Sequence, residues 1–231
     1  MDATDLSRRR ALAHYDELAR IGKVLSSPVR LRLLDLLRQG SRNVDELAQA
    51  AEVTVANSSR HLQQMRSARL VHAEREGKHV RYRIADEQVS RAFGVLRGLA
   101  ESILPEMELL RREMGALDAG ERDELLGRIL RDEVTLVDTR PAQEYREGHL
   151  PGARSIPLDE LSGRIDEIPR DREVVAYCRG PYCPMASRAV ALLLAAGFRA
   201  RHLDLGVPDL PARSRARARS RFTPRYKRNT R

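Results

Sequence analysis

Apolar residues in the first half of the chain recur at helical spacing. Over residues 7–25 they stand three and four positions apart, which predicts an amphipathic helix. A second helix is expected to begin at Pro28, behind a serine cap, and to stop at Gly40. Further helices are predicted over residues 44–50 and, behind a threonine cap, over residues 54–69.

The pattern then changes from helical spacing to alternation. Residues 70–75 and 80–84 alternate in polarity, which predicts two strands joined by a turn at residues 76–79. A long helix is expected over residues 87–114, interrupted at Pro105. Short helices followed by a hairpin predict a winged helix-turn-helix, an α fold with a β wing.

The second half of the chain has short apolar runs separated by helical segments. Strands alternating with helices indicate an α/β fold with a parallel sheet. The predicted strands cover residues 134–137, 174–177 and 200–203, and the predicted helices cover residues 125–130, 159–165 and 187–196.

These patterns predict two domains of different fold class. The winged helix-turn-helix is expected over residues 1–115, a linker over residues 116–121 and the α/β domain over residues 122–210. Residues 211–231 form an arginine-rich tail without apolar periodicity, which we expect to be disordered.

Charge changes this picture less than the net value of +9 suggests. All nine net positive charges lie after Asp209, because residues 1–209 hold 33 basic and 33 acidic residues. The tail is interpreted either as a nucleic-acid arm or as the product of a reading-frame change. We find no apolar run of membrane-spanning length and no apolar signal segment, so a cytoplasmic protein without membrane partners is expected.

The fourth predicted helix has the residue types that DNA recognition requires. Its N-terminal part is small or able to form hydrogen bonds, as contacts to base edges and phosphates demand, and the hairpin adds basic groups. The residues predicted to bind double-stranded DNA are Thr54, Ala56, Asn57, Ser58, Ser59, Arg60, His61, Gln64, Lys78 and Arg81.

Three segments of this half resemble the ArsR-type repressors: residues 25–34, 58–62 and 77–82. The resemblance implies a homodimer paired through its first and last helices, and operator binding that an inducer relieves. Metal-sensing members of that family carry cysteines here, whereas this half has none and its histidines are scattered. We therefore predict no metal site and no cofactor.

Candidate chemistry in the second half centres on Cys178. This cysteine follows an apolar strand and precedes a loop and a helix, so backbone N–H groups are expected to stabilise a thiolate. Arg179 is a candidate for holding an anionic donor such as thiosulfate. The predicted substrate-binding loop consists of Arg179, Gly180, Pro181, Tyr182 and Cys183.

This half resembles the rhodanese domain. The resemblance implies that Cys178 accepts sulfane sulfur as a persulfide and passes the outer sulfur to an acceptor. We interpret Asp138, Arg140 and His149 as structural residues that hold the loops. The matching segments are residues 138–140, 144–145, 148–153, 156–157, 178–180 and the alanine-rich helix to residues 197–198.

Two departures from the rhodanese pattern limit the inference. Many rhodaneses have arginine where this chain has Cys183, which is interpreted either as a thiol that resolves the persulfide or as a small buried residue. Cys178 and Cys183 alone offer too few ligands for a metal. The usual C-terminal glycine and tryptophan turn is also missing, since the chain contains no tryptophan.

Three functions are compatible with these features. The favoured hypothesis is a DNA-binding regulator, in the repressor mode usual for its family, whose rhodanese-like domain senses reactive sulfur from thiosulfate or polysulfide through a Cys178 persulfide. The alternative is a thiosulfate-type sulfurtransferase with Cys178 as nucleophile, in which DNA binding serves localisation or autoregulation. In the third, the rhodanese-like fold is catalytically inactive and binds partners. The cysteine-free winged helix favours the first, because an inducer must act elsewhere.

Overall fold

The computed structural model describes residues 3–210, with side chains described from residue 11 onward. The chain divides into two compact units, Met1–Phe93 and Gly94–Arg231. The domain boundaries drawn from the sequence stay a prediction, and the predicted disorder of residues 211–231 concerns a segment outside the described residues.

The first unit contains helices and a three-stranded sheet. Its elements are α1 (Ala3–Leu25), α2 (Pro28–Arg38), β1 (Arg42–Asn43), α3 (Val44–Ala50), α4 (Val55–Ser67), β2 (Val71–Glu76), β3 (His79–Ile84) and the start of α5 (Glu87–Ile103).

Side-chain caps fix the starts of these helices as the sequence predicts. Ser27 accepts a hydrogen bond from the Arg30 N–H at the start of α2, and Thr54 accepts one from the Asn57 N–H at the start of α4. The buried core between α2, α3, α4 and the hairpin consists of Leu33, Leu34, Leu36, Leu37, Leu47, Ala51, Leu62, Met65, Ala68, Leu70 and Val71.

The hairpin of β2 and β3 is the predicted wing. The two strands pair antiparallel from Val71 opposite Ile84 to Glu76 opposite His79. Gly77 makes the turn with a φ of +60°, a left-handed conformation that favours glycine. The short strand β1 adds to the other edge of β3, which gives the sheet order β1-β3-β2 and which the sequence did not indicate.

The second unit contains a parallel four-stranded sheet of order β5-β4-β6-β7, covered by helices. Its elements after α5 are α6 (Pro105–Glu113), α7 (Ala119–Leu130), β4 (Val134–Asp138), α8 (Ala142–Glu147), β5 (Arg154–Ser155), β6 (Glu173–Tyr177), α9 (Pro184–Ala195) and β7 (Ala200–Leu203). This architecture confirms the predicted fold class.

The central strand β6 has apolar side chains on both faces. Val174, Ala176 and the following Cys178 pack with α9 on one face. Val175 and Tyr177 pack with Leu125 of α7 on the other. Because both faces are covered, β6 is an apolar run rather than an alternating strand.

Several local predictions need correction. The helix expected over residues 159–165 is instead two 3₁₀ turns, Leu161–Gly163 and Ile165–Glu167. Helix α9 begins at Pro184, three residues earlier than expected. The predicted interruption at Pro105 is confirmed by the break between α5 and α6.

Within the part of the chain that is described, no helix is long and apolar enough to span a membrane.

Candidate functional site

The candidate sulfur site lies at the carboxyl end of β6. Cys178 directly follows this strand, and α9 begins at Pro184, so the intervening loop connects a buried strand to a helix N-terminus. The loop closes on itself, since the Cys183 N–H donates to the Gly180 carbonyl at 3.1 Å. Gly180 has a φ of +143°, a backbone conformation that residues with a side chain rarely adopt.

Cys178 is a buried thiol rather than an exposed thiolate. The residue is 0% exposed. Its Sγ lies 3.2 Å from the Cys183 carbonyl oxygen and 4.0 Å from that of Gly180, so the S–H has carbonyl acceptors. Burial raises the pKa of Cys178 well above its ordinary value. The prediction that Cys178 is a thiolate is therefore wrong for the protein with both cysteines reduced.

Cys183 carries the negative charge more readily. It is a free cysteine, less buried than Cys178, at the N-cap position of α9. A hydrogen bond from the Cys178 thiol lowers the pKa of Cys183 to about 7, and the backbone N–H groups of Arg179 and Met185 contribute in the same direction. The two thiols therefore form a pair in which Cys178 is the donor and Cys183 the acceptor.

Arg179 is bound by a buried carboxylate. Its Nη2 lies 2.7 Å from Glu144 Oε1, and its Nε donates to both carboxylate oxygens at 3.1 and 3.2 Å. Glu144 is 2% exposed. The charge of Arg179 is thus matched, which differs from the expectation that Arg179 holds an anionic donor. Glu144 lies in a motif that the sequence singled out, but nothing local marked it as the partner of Arg179.

Gly206 holds the other side of the loop. A Cβ on Gly206 would lie 2.2 Å from the Arg179 carbonyl oxygen and 2.6 Å from its carbon, so only glycine fits without a backbone shift. The Gly206 N–H donates to Asp209 at 3.1 Å, and Asp209 also accepts a hydrogen bond from Arg97 at 2.8 Å. A segment after β7 thus fixes the loop from behind.

Tyr182 connects the loop to α5. Its hydroxyl donates to Glu101 Oε1 at 2.9 Å. Glu101 in turn lies 3.6 Å from Arg97, one helical turn earlier on the same helix. No local pattern indicated these partners, because they lie far from the loop along the chain.

A buried polar cluster supports the end of β4 beside the loop. Asp138 and Arg140 are both 0% exposed and form an ion pair at 2.6 Å. The Tyr177 hydroxyl donates to Asp138 at 2.5 Å and accepts from the Leu150 N–H at 3.0 Å. These contacts hold the ends of β4 and β6 and the segment before β5 together.

His149 has a comparable supporting position. Its ring stacks on Tyr145 with a centroid distance of 3.8 Å, and its Nδ1 lies 2.9 Å from the Tyr145 carbonyl oxygen. Tyr145 lies in α8, and His149 lies in the segment between α8 and β5.

The residues predicted to bind DNA divide into two sets. Thr54, Ala56, Arg60, Gln64 and the wing residue Lys78 are exposed, and Asn57 and Ser59 are half-buried. Ser58 and His61 face the core instead, at 0% and 8% exposure. We therefore remove Ser58 and His61 from the candidate interface, because the inward face of α4 cannot reach a base edge.

Arg81 also has a different environment from the one expected. Its guanidinium donates to the Ser41 carbonyl at 2.5 Å and lies 3.2 Å from Glu76 and 3.7 Å from Glu46. These contacts join the wing to the segment before β1. Beside α4 the predicted residue Arg60 lines an open groove together with three cations that sequence reasoning did not include, Arg20, Lys23 and Arg30. Among the described residues, no cluster of three or more histidine, cysteine or acidic side chains has a metal-binding arrangement.

Family models match both units of the chain. The model described as "Bacterial regulatory protein, arsR family" matches residues 27–73, and that of the "Rhodanese-like domain" matches residues 121–210. The HTH-type transcriptional regulator Rv0324 of Mycobacterium tuberculosis is 44% identical over 200 residues, which are 86% of this chain and 88% of that protein.

Other relatives match one part of the chain only. The HTH-type transcriptional regulator CmtR of Mycobacterium bovis is 42% identical over 79 residues, covering 34% of this chain and 67% of its own. A sulfurtransferase of Allochromatium vinosum is 37% identical over 67 residues, covering 29% and 61%. The solution structure of a homodimeric winged helix-turn-helix domain from Mycobacterium bovis is 41% identical, with a TM-score of 0.40, and covers 42% of this chain and 90% of that one.

The long match to a transcriptional regulator and the two family models agree with the fold of each unit. The chain belongs to the ArsR family of transcriptional regulators, in a form that carries a rhodanese-like domain.

Proposed function

We propose that this regulator is a homodimeric repressor whose affinity for operator DNA depends on the sulfur state of Cys178. The observation that carries the proposal is a hydrogen bond between Tyr182 and Glu101 of α5. Tyr182 lies in the loop of residues 178–183, which we call the cysteine loop. Helix α5 begins at Glu87, and its Phe93 packs on the core of the winged helix. A rearranged loop would therefore act on a helix that is anchored in the DNA-binding unit.

The exposed side of α4 is the proposed reading surface. Ala56, Asn57 and Ser59 near its N-terminus suit base edges in the major groove. Arg60 and the neighbouring cations of the open groove suit phosphates, and Lys78 extends this contact from the wing. Phosphate contacts of this kind position the protein without reading sequence.

A second copy of the chain is the proposed occupant of two exposed apolar faces. On α1, Leu12, Tyr15 and Leu18 are 55%, 61% and 63% exposed. On α5, Val95 and Leu99 are 72% and 53% exposed. The spacing of three and four positions places each set on one face of its helix, the pattern of a helix that packs against another. The family pairs its subunits through these helices.

The environment of Cys178 favours a sulfur donor that does not have to bind to a positively charged side chain. Arg179 is bound to Glu144, and Cys178 lies in a buried cluster with apolar residues of α9. A singly charged hydropolysulfide or a small persulfide fits this site better than thiosulfate, whose double negative charge requires a matching cation. Cys178 is the proposed sulfur acceptor by its rhodanese-like position.

The test is DNA binding before and after sulfur treatment. We would titrate the DNA upstream of the protein's own gene with reduced and with polysulfide-treated protein, for the native chain, Cys178→Ser and Tyr182→Phe. The native chain should lose affinity by between about 5-fold and about 150-fold, the range of allosteric couplings. Cys178→Ser should not respond, and Tyr182→Phe should bind normally when reduced but respond less. Equal affinity of the native protein in both states would refute the coupling.

A sulfurtransferase activity is the second candidate. It is favoured by the rhodanese-like domain with an intact Cys178 and by the resemblance to a sulfurtransferase over part of the chain. A turnover assay with thiosulfate and a thiophilic acceptor decides between the two. Sustained turnover lost in Cys178→Ser would favour the enzyme, whereas a single stoichiometric transfer would favour the sensor.

A further inference from the structure

The two cysteines of this chain lie at the two ends of one loop. Cys178 closes β6 and Cys183 caps α9, and both are free thiols. The Cys178 Sγ lies 3.2 Å from the Cys183 carbonyl oxygen, and the hydrogen bond between the Cys183 N–H and the Gly180 carbonyl folds the loop back. The side chains of the two cysteines also share a hydrogen bond, so the sulfur-accepting thiol has a second thiol as its neighbour.

We infer that Cys183 is a resolving thiol, which attacks the Cys178 persulfide, closes a Cys178–Cys183 disulfide and releases hydrosulfide. This inference rests on the proposed sulfur chemistry of Cys178 and adds what happens to the persulfide after it has formed. The stable sulfur-modified state of the protein is then an intramolecular bridge rather than a persulfide.

The chemistry balances without an external oxidant. In the first step Cys178, having passed its proton to Cys183, attacks the terminal sulfane sulfur of a polysulfide. A Cys178 S–S bond forms, the donor's S–S bond breaks, and the shortened polysulfide leaves with the electron pair. In the second step Cys183 sulfur attacks the inner sulfur of Cys178–S–S⁻. The new S–S bond joins the two cysteines, and the outer sulfur leaves as HS⁻ with the Cys183 proton. The sulfane sulfur is reduced and the two thiols are oxidised.

Burial favours the internal thiol over an external one. The inner sulfur of the persulfide is the Sγ of Cys178, a residue with 0% exposure, so an external thiol has to pass the same barrier as the sulfur donor, whereas Cys183 lies within the loop. Cys183 already contacts that sulfur from within the loop. Gly206 and Arg179 close the loop from the opposite side. Cys183 therefore reaches the inner sulfur more readily than an external thiol does.

The acidity of Cys183 suits the same role. In the reduced protein the hydrogen bond from Cys178 lowers the pKa of Cys183 to about 7, and the backbone N–H groups of Arg179 and Met185, which act in the same direction, do not depend on the Cys178 proton. A thiol whose pKa lies near the ambient pH is the most effective attacking group in thiol exchange. A small buried residue without chemistry, the other interpretation of Cys183, would not require this environment.

The experiment follows mass and hydrosulfide together. The full-length reduced protein receives a limiting amount of polysulfide, and intact mass, released hydrosulfide and free thiols are measured for the native chain, Cys183→Ser and Cys178→Ser. Each native chain that reacts should lose about 2 Da and both thiols, and about one hydrosulfide should be released per bridge formed, in addition to the shortened polysulfide of the first step. Cys183→Ser should instead gain about 32 Da as a stable persulfide and release none. Peptide mapping of the native chain should find the Cys178–Cys183 bridge, and this measurement needs no variant to fold.

The outcomes separate the inference from the proposed function. A native chain that keeps about 32 Da on Cys178, with no bridge and no hydrosulfide, overturns the resolving role while sulfur acceptance stands. A sulfur that reaches Cys183 and not Cys178 also overturns it. If neither the native chain nor Cys183→Ser takes up sulfur, the proposed function itself fails. A bridge that forms without any change in DNA affinity would support the chemistry and reject the coupling.

Discussion

Replacing Arg140 with methionine tests whether the buried ion pair beside the cysteine loop holds the second unit together. Arg140 donates to Asp138 through Nη2 at 2.6 Å and through Nε at 2.9 and 3.2 Å, and to the Gly148 carbonyl at 2.7 Å. In Arg140→Met the Asp138 carboxylate still accepts the hydrogen bond from the Tyr177 hydroxyl but loses the hydrogen bonds from the guanidinium group. Breaking a buried pair by removing one partner costs about 3–5 kcal/mol, because a desolvated charge stays behind.

The effect is measured as a urea midpoint. With a denaturant dependence of about 2 kcal/mol per molar, a loss of about 4 kcal/mol lowers the midpoint by about 2 M. Because the chain has two units, proteolysis pulses in urea with fragments read by mass spectrometry give a separate midpoint for residues 94–210. The first unit should keep its own midpoint.

Arg164→Met is the matched control. Arg164 also forms two ion pairs, with Glu160 and Glu167, each at 2.8 Å. Its side chain is 36% exposed and those of its partners are 48% and 54% exposed, so removal of the guanidinium leaves carboxylates in water. We expect the native midpoint for this variant. If Arg140→Met also retained the native midpoint, the structural role of the pair would be refuted.

Two further predictions concern the loop itself. Gly206→Ala places a Cβ against the Arg179 backbone, so it should lower the free energy of unfolding by about 3 kcal/mol and abolish sulfur uptake. Gly163→Ala is the control, because no atom lies within 4 Å of its added Cβ, and it should change neither property. Normal sulfur uptake by Gly206→Ala would contradict the close approach. Iodoacetamide should label Cys183 before Cys178, at a rate that rises with pH through a midpoint of about 7 as the thiolate forms. Since the hydrogen bond from Cys178 is the main cause of this low pKa, Cys178→Ala should raise the midpoint, and an unchanged midpoint would show that the thiols are not paired.

Local signals predicted most of the architecture. The caps at Ser27 and Thr54 and the turn at Gly77 lie within three residues of what they control, so the sequence shows them directly. Elements held by distant contacts were missed. Strand β1 has two residues and exists because Arg42 pairs with Tyr82 across the sheet, which no periodicity can indicate.

The same distinction holds at the site. Cys178 and its loop were found because a strand, a cysteine, a glycine and a helix follow one another along the chain. The partners that give the loop its environment are separated from it by long stretches of sequence: 35 residues for Arg179 and Glu144, and 81 for Tyr182 and Glu101. Each is an ordinary charged residue in its own helix, so only the folded chain shows what it binds.

The position of the thiolate shows how one local error changes the chemistry. The sequence placed the start of the last helix at Ser187, which left both cysteines in the loop before it and favoured Cys178 as the charged thiol. In the structure the helix begins at Pro184, so Cys183 is its N-cap residue while Cys178 remains in the core of the sheet. A helix N-terminus stabilises an anion only within its first turn, and burial in an apolar core opposes one. The hydrogen bond from the buried Cys178 thiol is the main reason why Cys183 carries the negative charge, and the backbone N–H groups of Arg179 and Met185, the latter at the start of the helix, add to it. A buried thiol that can store sulfur and a more exposed thiolate that can release it are the two components that a reversible sulfur switch requires.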